Sequence, residues 1–288
     1  MAMREFELVR PDDLDHCLQS LRHHSRDAAL VAGGTDLHVE MRAGTRQPRV
    51  LIAISGIPEL RSVEAGQGRI SFGPALTASE IAADPALGSV RVLGEAASSI
   101  GSPQIRNVAT AGGNLANASP AGDLYPPLLA LKARLIIRRA EGRRELDLED
   151  FAKGPGRTAL EPDELISEVA FERPGDDCFT GFAKIGLRNA VAISVASAAI
   201  VARAADGRLC DVRIACGAVA DRPIRMKRTE ALLLEAPPTP ELAREAADAA
   251  SHECDPITDI RATAGYRKHV VGVIVSRLVE AAWRALIE

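Results

Sequence analysis

The sequence lacks any pattern of cysteine or histidine that would hold a metal ion or a metal cluster. Its six histidines form no H-E-x-x-H motif. Its cysteines include no C-x-x-C pair, and their odd number disfavours a disulfide framework. The five cysteines are Cys17, Cys178, Cys210, Cys216 and Cys254. We therefore expect free thiols, and any iron–sulfur or other metal chemistry must lie elsewhere.

The sequence also lacks long apolar runs and blocks of like charge. The apolar stretch from Val191 to Val201 is too short to span a bilayer, and the amino terminus has no apolar signal segment. The 35 basic and 39 acidic residues give a formal charge of −4 and are interspersed, which disfavours nucleic acid or an anionic membrane as a partner. We expect a cytoplasmic globular protein whose 288 residues form about two domains.

Three common catalytic motifs are missing. There is no G-x-G-x-x-G and no G-x-x-x-x-G-K-[ST], which disfavours a Rossmann dehydrogenase and a P-loop nucleotidase. There is no G-x-S-x-G either, so a hydrolase of that type is unsupported. If the protein takes part in catalysis, a bound cofactor is expected to supply the chemistry while the chain binds and orients it.

Two glycine pairs are the most informative feature that is present. They lie in Val31–Asp36 and in Thr110–Asn114, and each is predicted to follow an apolar strand. Adjacent glycines allow positive φ and close approach of a ligand, and successive N–H groups then form a concave anion trap suited to a pyrophosphate. Either pair alone could equally be a tight turn. Together they predict a dinucleotide site.

The hydrophobic pattern of the amino-terminal part predicts alternating strands and helices. Asp12 or Asp13, Asp36 and Asp123 are the predicted helix caps. Strands are predicted at 28–31, 50–54 and 69–73 with a hairpin at 135–138 and 144–148, and helices at 11–21, 36–41, 77–83, 94–99 and from 123 onwards.

The segment Arg173–Asp177 is polar and turn-forming, which predicts a domain boundary there. Strands are predicted beyond it at 179–185, 194–202 and 211–219, and helices at 240–252 and 263–287. This order predicts an antiparallel sheet backed by helices.

Three sequence blocks resemble a known family. The blocks Leu30–Leu37, Gly101–Asn114 and Phe182–Ala190 are similar to the FAD-binding medium subunit of molybdenum hydroxylases, the family of xanthine dehydrogenase and carbon monoxide dehydrogenase. The likeness runs from near Phe6 to near Trp283 and is closest to the bacterial three-subunit xanthine dehydrogenase type. It implies an α+β fold: a two-subdomain FAD-binding α/β domain of the molybdopterin dehydrogenase (PCMH) type at residues 1–174, and a smaller carboxy-terminal domain with an antiparallel sheet and helices at residues 175–288.

The resemblance also implies the residues that bind the cofactor. They are Leu30, Val31, Ala32, Gly33, Gly34, Thr35, Asp36, Leu37, Ile100, Thr110, Ala111, Gly112, Gly113, Asn114, Asp123, Ile166 and Lys184. The loop amides would meet the pyrophosphate and the Thr35 and Asn114 side chains would add hydrogen bonds. The implied roles of the others are an apolar flavin contact for Ile100, a polar adenosine or ribitol contact for Asp123, packing near the ring for Ile166 and a basic contact for Lys184.

Each of these last residues has a plainer interpretation. Asp123 could be only a helix cap, Ile100 and Ile166 could be ordinary core residues, and Lys184 could be a surface lysine. A buried Lys184 ammonium would need a partner. The sequence departs from the family at Ala192, where many members have an acidic residue that could pair with such a lysine.

The resemblance implies an oxidoreductase subunit that binds FAD without a covalent bond. It would take electrons from 2Fe-2S clusters in a small subunit and pass them to NAD⁺ or another acceptor, while a large molybdopterin subunit hydroxylates an N-heterocycle or an aldehyde. Two alternatives remain open: a self-sufficient FAD-dependent oxidase and a nonenzymatic nucleotide-binding module. The lack of a candidate base or metal site in the second domain disfavours the oxidase.

Overall fold

The computed structural model describes residues 4–66, 68–188 and 192–287. The first three residues of the amino terminus, the last two of the 182–190 block and Val191 lie outside these ranges. The amino-terminal part contains, in chain order, β1 (Glu7–Val9), α1 (Leu14–His24), β2 (Ala28–Val31), α2 (Leu37–Ala43), β3 (Val50–Ala53), β4 (Val63–Ala65), β5 (Arg69–Phe72), α3 (Ala78–Ala83), α4 (Pro85–Ser89), α5 (Arg91–Ser99), α6 (Pro103–Arg106), α7 (Ala111–Ala116), α8 (Tyr125–Ala130), β6 (Arg134–Arg139), β7 (Gly142–Asp147), β8 (Ala152–Gly154), β9 (Arg157–Thr158) and β10 (Leu165–Glu172). The carboxy-terminal part contains β11 (Cys178–Ile185), β12 (Ala196–Ala205), β13 (Arg208–Gly217), β14 (Ile224–Arg225), α9 (Lys227–Leu233), α10 (Pro240–Glu253) and α11 (Ala264–Leu286).

The first sheet has three parallel strands in the order β1-β3-β2. Leu30 pairs with Ile52, and helix α2 connects these two strands, so the predicted strand-to-helix crossing at the first glycine pair is confirmed. Helix α1 begins at Leu14, later than the sequence predicts. Asp13 is its cap, because the Asp13 side chain accepts a hydrogen bond of 2.7 Å from the backbone nitrogen of His16.

The second sheet is antiparallel, with five strands in the order β4-β5-β10-β6-β7. The predicted hairpin is confirmed as β6 and β7, in which Arg138 pairs with Arg143. The middle strand, β10, carries Ile166 and was not predicted from the sequence. This sheet and helices α3, α4, α5, α7 and α8 share one hydrophobic core that includes Phe72, Tyr125 and Ile166.

The carboxy-terminal sheet is antiparallel in the order β11-β12-β13-β14 and is backed by helices, as predicted: α11 packs on the sheet, and α10 packs on α11. Helix α9 and strand β14 were not predicted. Alternate residues of β12 point to opposite faces: Ile200 packs in the core beneath the carboxy-terminal helices, whereas Ala199 and Val201 belong to the core of the amino-terminal part. Both faces are buried, which explains why β12 is almost continuously apolar.

Three local predictions are wrong. Asp36 precedes α2 but has helical backbone angles, φ −99° and ψ −49°, and its side chain makes no capping hydrogen bond. Asp123 does not cap α8, because that helix begins at Tyr125 and the Asp123 carboxylate is bound elsewhere. The second glycine pair follows no apolar strand and instead lies inside helix α7.

All five cysteines are free thiols, as predicted, and Cys17, Cys216 and Cys254 are buried. Among the helices of the described ranges, none has the length and apolar character needed to cross a membrane.

Candidate functional site

A cavity with a volume of about 660 Å³ lies at the carboxyl end of β2. Ligand clefts generally measure about 300–1,000 Å³. All residues from Leu30 to Leu37 line it, together with Ile100, Thr110, Gly113 and Asn114. The structure thus brings most of the predicted site residues to one cavity.

The residues of the first glycine loop line this cavity, and four of their backbone amides have no acceptor among the described residues. None of the four amides from Gly33 to Asp36 donates a hydrogen bond within the described part of the chain. Gly34 has φ +68°, the left-handed conformation that glycine adopts without strain. Successive free N–H groups around such a residue form a concave anion site. This loop has the chemistry predicted for binding a pyrophosphate.

The second glycine loop differs from the first. All four amides at 111–114 donate to protein acceptors at 2.7–3.2 Å, namely Leu76, Pro74 and the backbone and hydroxyl oxygens of Thr110. This follows from the position of the loop, since Thr110 is the cap of helix α7 and the amides of a first helical turn need acceptors. The prediction of a second row of free amides is therefore wrong.

The second loop still contributes side chains to the cavity. The Asn114 Oδ1 atom accepts a hydrogen bond of 3.2 Å from the backbone nitrogen of Leu124. This bond fixes the orientation of the amide and leaves its NH₂ group without a protein acceptor among the described residues. In the first loop, the Thr35 hydroxyl lies 3.5 Å from Asp36 Oδ2, at the limit of a hydrogen bond. Both side chains retain capacity to bind a ligand.

Asp123 and Lys184 form a buried ion pair behind the cavity wall. Lys184 Nζ lies 2.6 Å from Asp123 Oδ2 and 2.7 Å from the carbonyl oxygen of Ser99, and the Ser194 hydroxyl donates to Asp123 Oδ1 at 2.5 Å. The side chains are 15% and 8% exposed for lysine and aspartate. Burial raises the pKa of the Asp123 carboxyl, and the charge of Lys184 opposes that rise. Asp123 thus supplies the partner that a buried Lys184 ammonium needs.

Not every predicted residue lines the cavity. Ala111, Gly112, Asp123, Ile166 and Lys184 do not, and Ile166 is a 5% exposed member of the amino-terminal core. Their predicted cofactor-binding roles stay predictions.

The structure adds an acidic wall that the sequence analysis missed. Glu164 lines the cavity with a side chain that is 5% exposed, and Arg144 binds it through two hydrogen bonds of 2.8 and 2.6 Å. The bond from Arg144 is the largest cause that lowers the pKa of Glu164. The backbone nitrogen of Glu161 also donates to Glu164, at 2.9 Å. No local pattern joins residues 20 positions apart, so only the fold reveals this pair.

Two arginines, Arg26 and Arg46, and Ser25 also line the cavity and were not predicted. Ser25 has φ +43°, a conformation that is rare for a residue with a side chain. Among the described residues that line the cavity there is no histidine, cysteine, lysine or tyrosine. The cavity can therefore bind and orient a ligand, and its reactive side chains are limited to hydroxyls and carboxylates, such as those of Ser25 and Glu164.

The residues present fit a dinucleotide such as FAD. The row of free amides suits two linked phosphates, Ile100 and Leu37 supply apolar surface for a ring, and the volume is adequate.

Comparison with known proteins gives matches along nearly the whole chain. Residues 4–172 match the model of the FAD binding domain in molybdopterin dehydrogenase, and residues 182–282 match that of the CO dehydrogenase flavoprotein C-terminal domain. The chain is 35% identical to the nicotinate dehydrogenase FAD-subunit of Eubacterium barkeri over 83% of each chain. It is 32% identical to the carbon monoxide dehydrogenase medium chain of Hydrogenophaga pseudoflava, over 98% of this chain and 99% of the relative.

The fold has equally close counterparts among solved structures. This chain superposes with a TM-score of 0.95 on a chain of the Hydrogenophaga pseudoflava carbon monoxide dehydrogenase, in a structure that lacks the Mo-pyranopterin moiety of the molybdenum cofactor. The two share 30% sequence identity, and 99% of each chain is covered.

Proposed function

The chain belongs to the family of FAD-binding medium subunits of molybdenum hydroxylases, and from this premise we propose that it relays electrons from a 2Fe-2S subunit to NAD⁺ or another acceptor. The family consists of flavoprotein subunits of oxidoreductase complexes, and its members act together with other subunits. The observation that carries the proposal is the row of free amides from Gly33 to Asp36 in a cavity of matching size.

The chain's own residues would bind and orient FAD. The amides of the first loop would hold the pyrophosphate, the Thr35 hydroxyl and the Asn114 amide would add hydrogen bonds, and Ile100 would pack against the ring system. When bound, FAD supplies the redox chemistry, because it can accept and release electrons. Asp123, Lys184 and Ile166 would support this site from behind the cavity wall.

The proposal extends to the assembly. We propose that the chain divides into an FAD-binding domain at 1–174 and a carboxy-terminal domain at 175–288, and that it works in the cytoplasm. Its partners would be a 2Fe-2S small subunit and a molybdopterin large subunit that hydroxylates an N-heterocycle or an aldehyde. The similarity to a nicotinate dehydrogenase subunit supports an N-heterocycle first.

A reconstitution experiment tests the relay. The chain, FAD and the two partner subunits are mixed without oxygen, a panel of N-heterocycles and aldehydes is supplied, and NADH formation is compared with reduction of a quinone and of a dye. We expect acceptor reduction only with all three subunits present, and with NAD⁺ as the preferred acceptor. Acceptor reduction at full rate without this chain would contradict the relay.

The alternative of a self-sufficient oxidase has its own test. The chain with FAD alone is exposed to the same substrates without oxygen, and bleaching of the flavin absorbance is followed. Among the described residues that line the cavity there is no histidine, cysteine, lysine or tyrosine, and we expect no bleaching by these substrates and slow bleaching by NADH. Rapid bleaching by a heterocycle would replace the relay with the oxidase.

A further inference from the structure

Exposed apolar and aromatic side chains lie together at one end of the carboxy-terminal sheet. They belong to the end of β11, to the segment before β12, and to the loop and first turn that lead into α11. We call them the apolar end surface, which consists of Ile185, Leu187, Ile193, Ile257, Ile260 and Tyr266. Ile260 is 97% exposed and Ile257 is 70% exposed. Contiguous exposed apolar side chains mark interaction sites, since burying them releases water from apolar surface.

Arg267 joins the segments that carry this surface. It is buried and donates to the carbonyl oxygen of Val195, which precedes β12, and to that of Ala218, which follows β13. It also donates to Asp259 in the loop before α11. Tyr266 is the sequence neighbour of Arg267. The three segments therefore meet at one side chain.

The end of β11 belongs to the same place. The carbonyl oxygen of Ile185 accepts a hydrogen bond of 2.8 Å from the backbone nitrogen of Val195, two residues beyond Ile193. A Cβ atom on Gly181 would lie 3.4 Å from Leu278 of α11. Alternate residues of a strand share a face, so Ile185 is on the side of β11 that α11 covers. The exposed residues of β11 and α11 thus form one surface.

The loop that carries Ile260 is held at several points. The Asp259 carboxylate accepts hydrogen bonds from the backbone nitrogens of Arg261 and Ala262, at 2.8 and 3.2 Å. It also accepts from the guanidinium groups of Arg261 and Arg267, at 2.8 Å each. A loop that is already ordered loses little conformational freedom when a partner binds. Its exposed isoleucines are therefore suited to anchor a partner.

The apolar end surface adjoins the cofactor cavity. Lys184, the residue before Ile185, binds the carbonyl oxygen of Ser99 at 2.7 Å, and the next residue, Ile100, lines the cavity. In the proposed function the flavin ring packs against Ile100, so a subunit on this surface stands beside the ring. Of the two proposed partner subunits, the 2Fe-2S subunit is the one that must approach the flavin, because it passes electrons to it.

We propose that the apolar end surface is the docking site of the 2Fe-2S subunit, with Ile257, Ile260 and Tyr266 as its anchors. The inference rests on the proposed function, since it requires an electron donor beside the flavin. Arg188 is exposed next to Leu187, at the end of the surface nearest the cavity. The matching face of the partner is therefore apolar, with a carboxylate opposite Arg188.

The experiment measures which protein this surface binds. The full chain with FAD is titrated with the 2Fe-2S subunit, with the molybdopterin subunit and with itself, as wild type, Ile257→Glu and Ile260→Glu. A carboxylate at either position would be buried without a partner in an apolar contact. Both side chains are exposed, so the variants should fold, and thermal unfolding and FAD content check this.

Leu234→Glu is the matched control. Leu234 is a 40% exposed apolar residue of the same carboxy-terminal part. The backbone nitrogen of the next residue, Glu235, donates to the oxygen of Leu209 near the start of β13, whereas the apolar end surface lies beyond the end of that strand. A new carboxylate there changes the charge equally but is far from the proposed contact.

We expect Ile257→Glu and Ile260→Glu each to weaken binding of the 2Fe-2S subunit at least about tenfold, with the control and the FAD content unchanged. In the three-subunit complex, substrate-dependent reduction of the flavin should fall in the same two variants. It should return when the 2Fe-2S subunit is added in excess, because only docking is impaired.

Unchanged binding of the 2Fe-2S subunit by both variants would overturn the inference. A loss confined to the molybdopterin subunit, or to self-association of the chain, would also overturn it and assign the surface to that occupant. The proposed function fails separately: a wild-type chain that binds the 2Fe-2S subunit through this surface but holds no FAD would contradict the relay and support the docking site.

Discussion

A Cβ atom placed on Gly33 would lie 1.7 Å from the carbonyl oxygen of Val108. Real Cβ atoms do not approach an oxygen so closely, so only glycine allows the two loops to touch at this point. The structural requirement for glycine at position 33 therefore differs from the close approach of a ligand that the sequence motif indicates. It permits contact between the two loops, and Gly34, with its positive φ, gives the first loop its shape.

Gly33→Ala should separate the two loops. Because the clash is with backbone, no side-chain rotation relieves it, and we expect a loss of at least about 2 kcal/mol of unfolding free energy together with weaker FAD binding. Gly56→Ala is the control, since a Cβ there meets no atom within 4 Å. Chemical unfolding of both variants checks this. A Gly33→Ala protein as stable as the control would contradict the contact between the loops.

Arg267 should be a major contributor to the stability of the carboxy-terminal part. It is 4% exposed and donates to the carbonyl oxygens of Val195 at 2.7 Å and Ala218 at 3.2 Å, and to Asp259 at 2.8 Å. Arg267→Met leaves these acceptors without their donor, and we expect a loss of about 3 kcal/mol. The exposed Arg277→Met on the same helix should change the unfolding midpoint little. Equal midpoints for the two variants would refute the role of Arg267.

The Arg144–Glu164 pair should make stability depend on pH on the acid side. The pKa of Glu164 is lower in the folded protein than the usual glutamate value of about 4.3. The unfolded chain therefore binds the proton more readily than the folded one. The pair makes its full contribution to the free energy of unfolding above the unfolded pKa, and this contribution is lost as the pH falls through the folded pKa. The difference in unfolding free energy between wild type and Glu164→Gln should shrink as the pH is lowered. A difference that stays constant would show that the pair does not contribute in this way.

The five thiols should fall into two reactivity classes. Burial raises the pKa of Cys17 and of Cys254 to about 12, and that of Cys216 well above its ordinary value. The thiolate is the reactive form. At about pH 8 a thiol with such a pKa is ionised to roughly one part in 10⁴. A disulfide reagent should label only the half-buried Cys178 and Cys210 in the native chain, and all five cysteines after denaturation. Labelling of Cys17 at the rate of Cys210 would contradict the burial of Cys17.

Local patterns predicted much of this fold. The glycine pairs, the β2–α2–β3 crossing and the strand and helix order of the carboxy-terminal part depend on residues close in the sequence. The ion pairs that support the site, by contrast, join residues that are far apart in the sequence. Lys184 binds Asp123 from 61 positions away, whereas the sequence predicted a helix cap and a cofactor contact for that carboxylate. In the sequence, an acidic residue before a helix is typical of a helix cap, whichever partner it binds in the fold. Only the packing of β11 against α5 shows that Asp123 pairs with Lys184 and does not cap α8.

The second glycine pair shows the same limit. It has the same two residues as the first pair, yet the amides of its loop already donate hydrogen bonds to Thr110 at the start of α7 and to Leu76 and Pro74. Equal motifs at 33–34 and 112–113 thus have unequal roles, because the first precedes its helix and the second lies within one.

Hydrogen exchange at the two glycine loops, measured with and without saturating FAD, tests the central claim most directly. The amides from Gly33 to Asp36 have no acceptor in the described chain, so they should exchange rapidly without FAD and slow markedly when a pyrophosphate accepts from them. The amides at 111–114 already donate within the protein and should change much less. This pattern in the chain or in its complex would support the site as described. Unchanged exchange from Gly33 to Asp36 in the presence of bound FAD would contradict it.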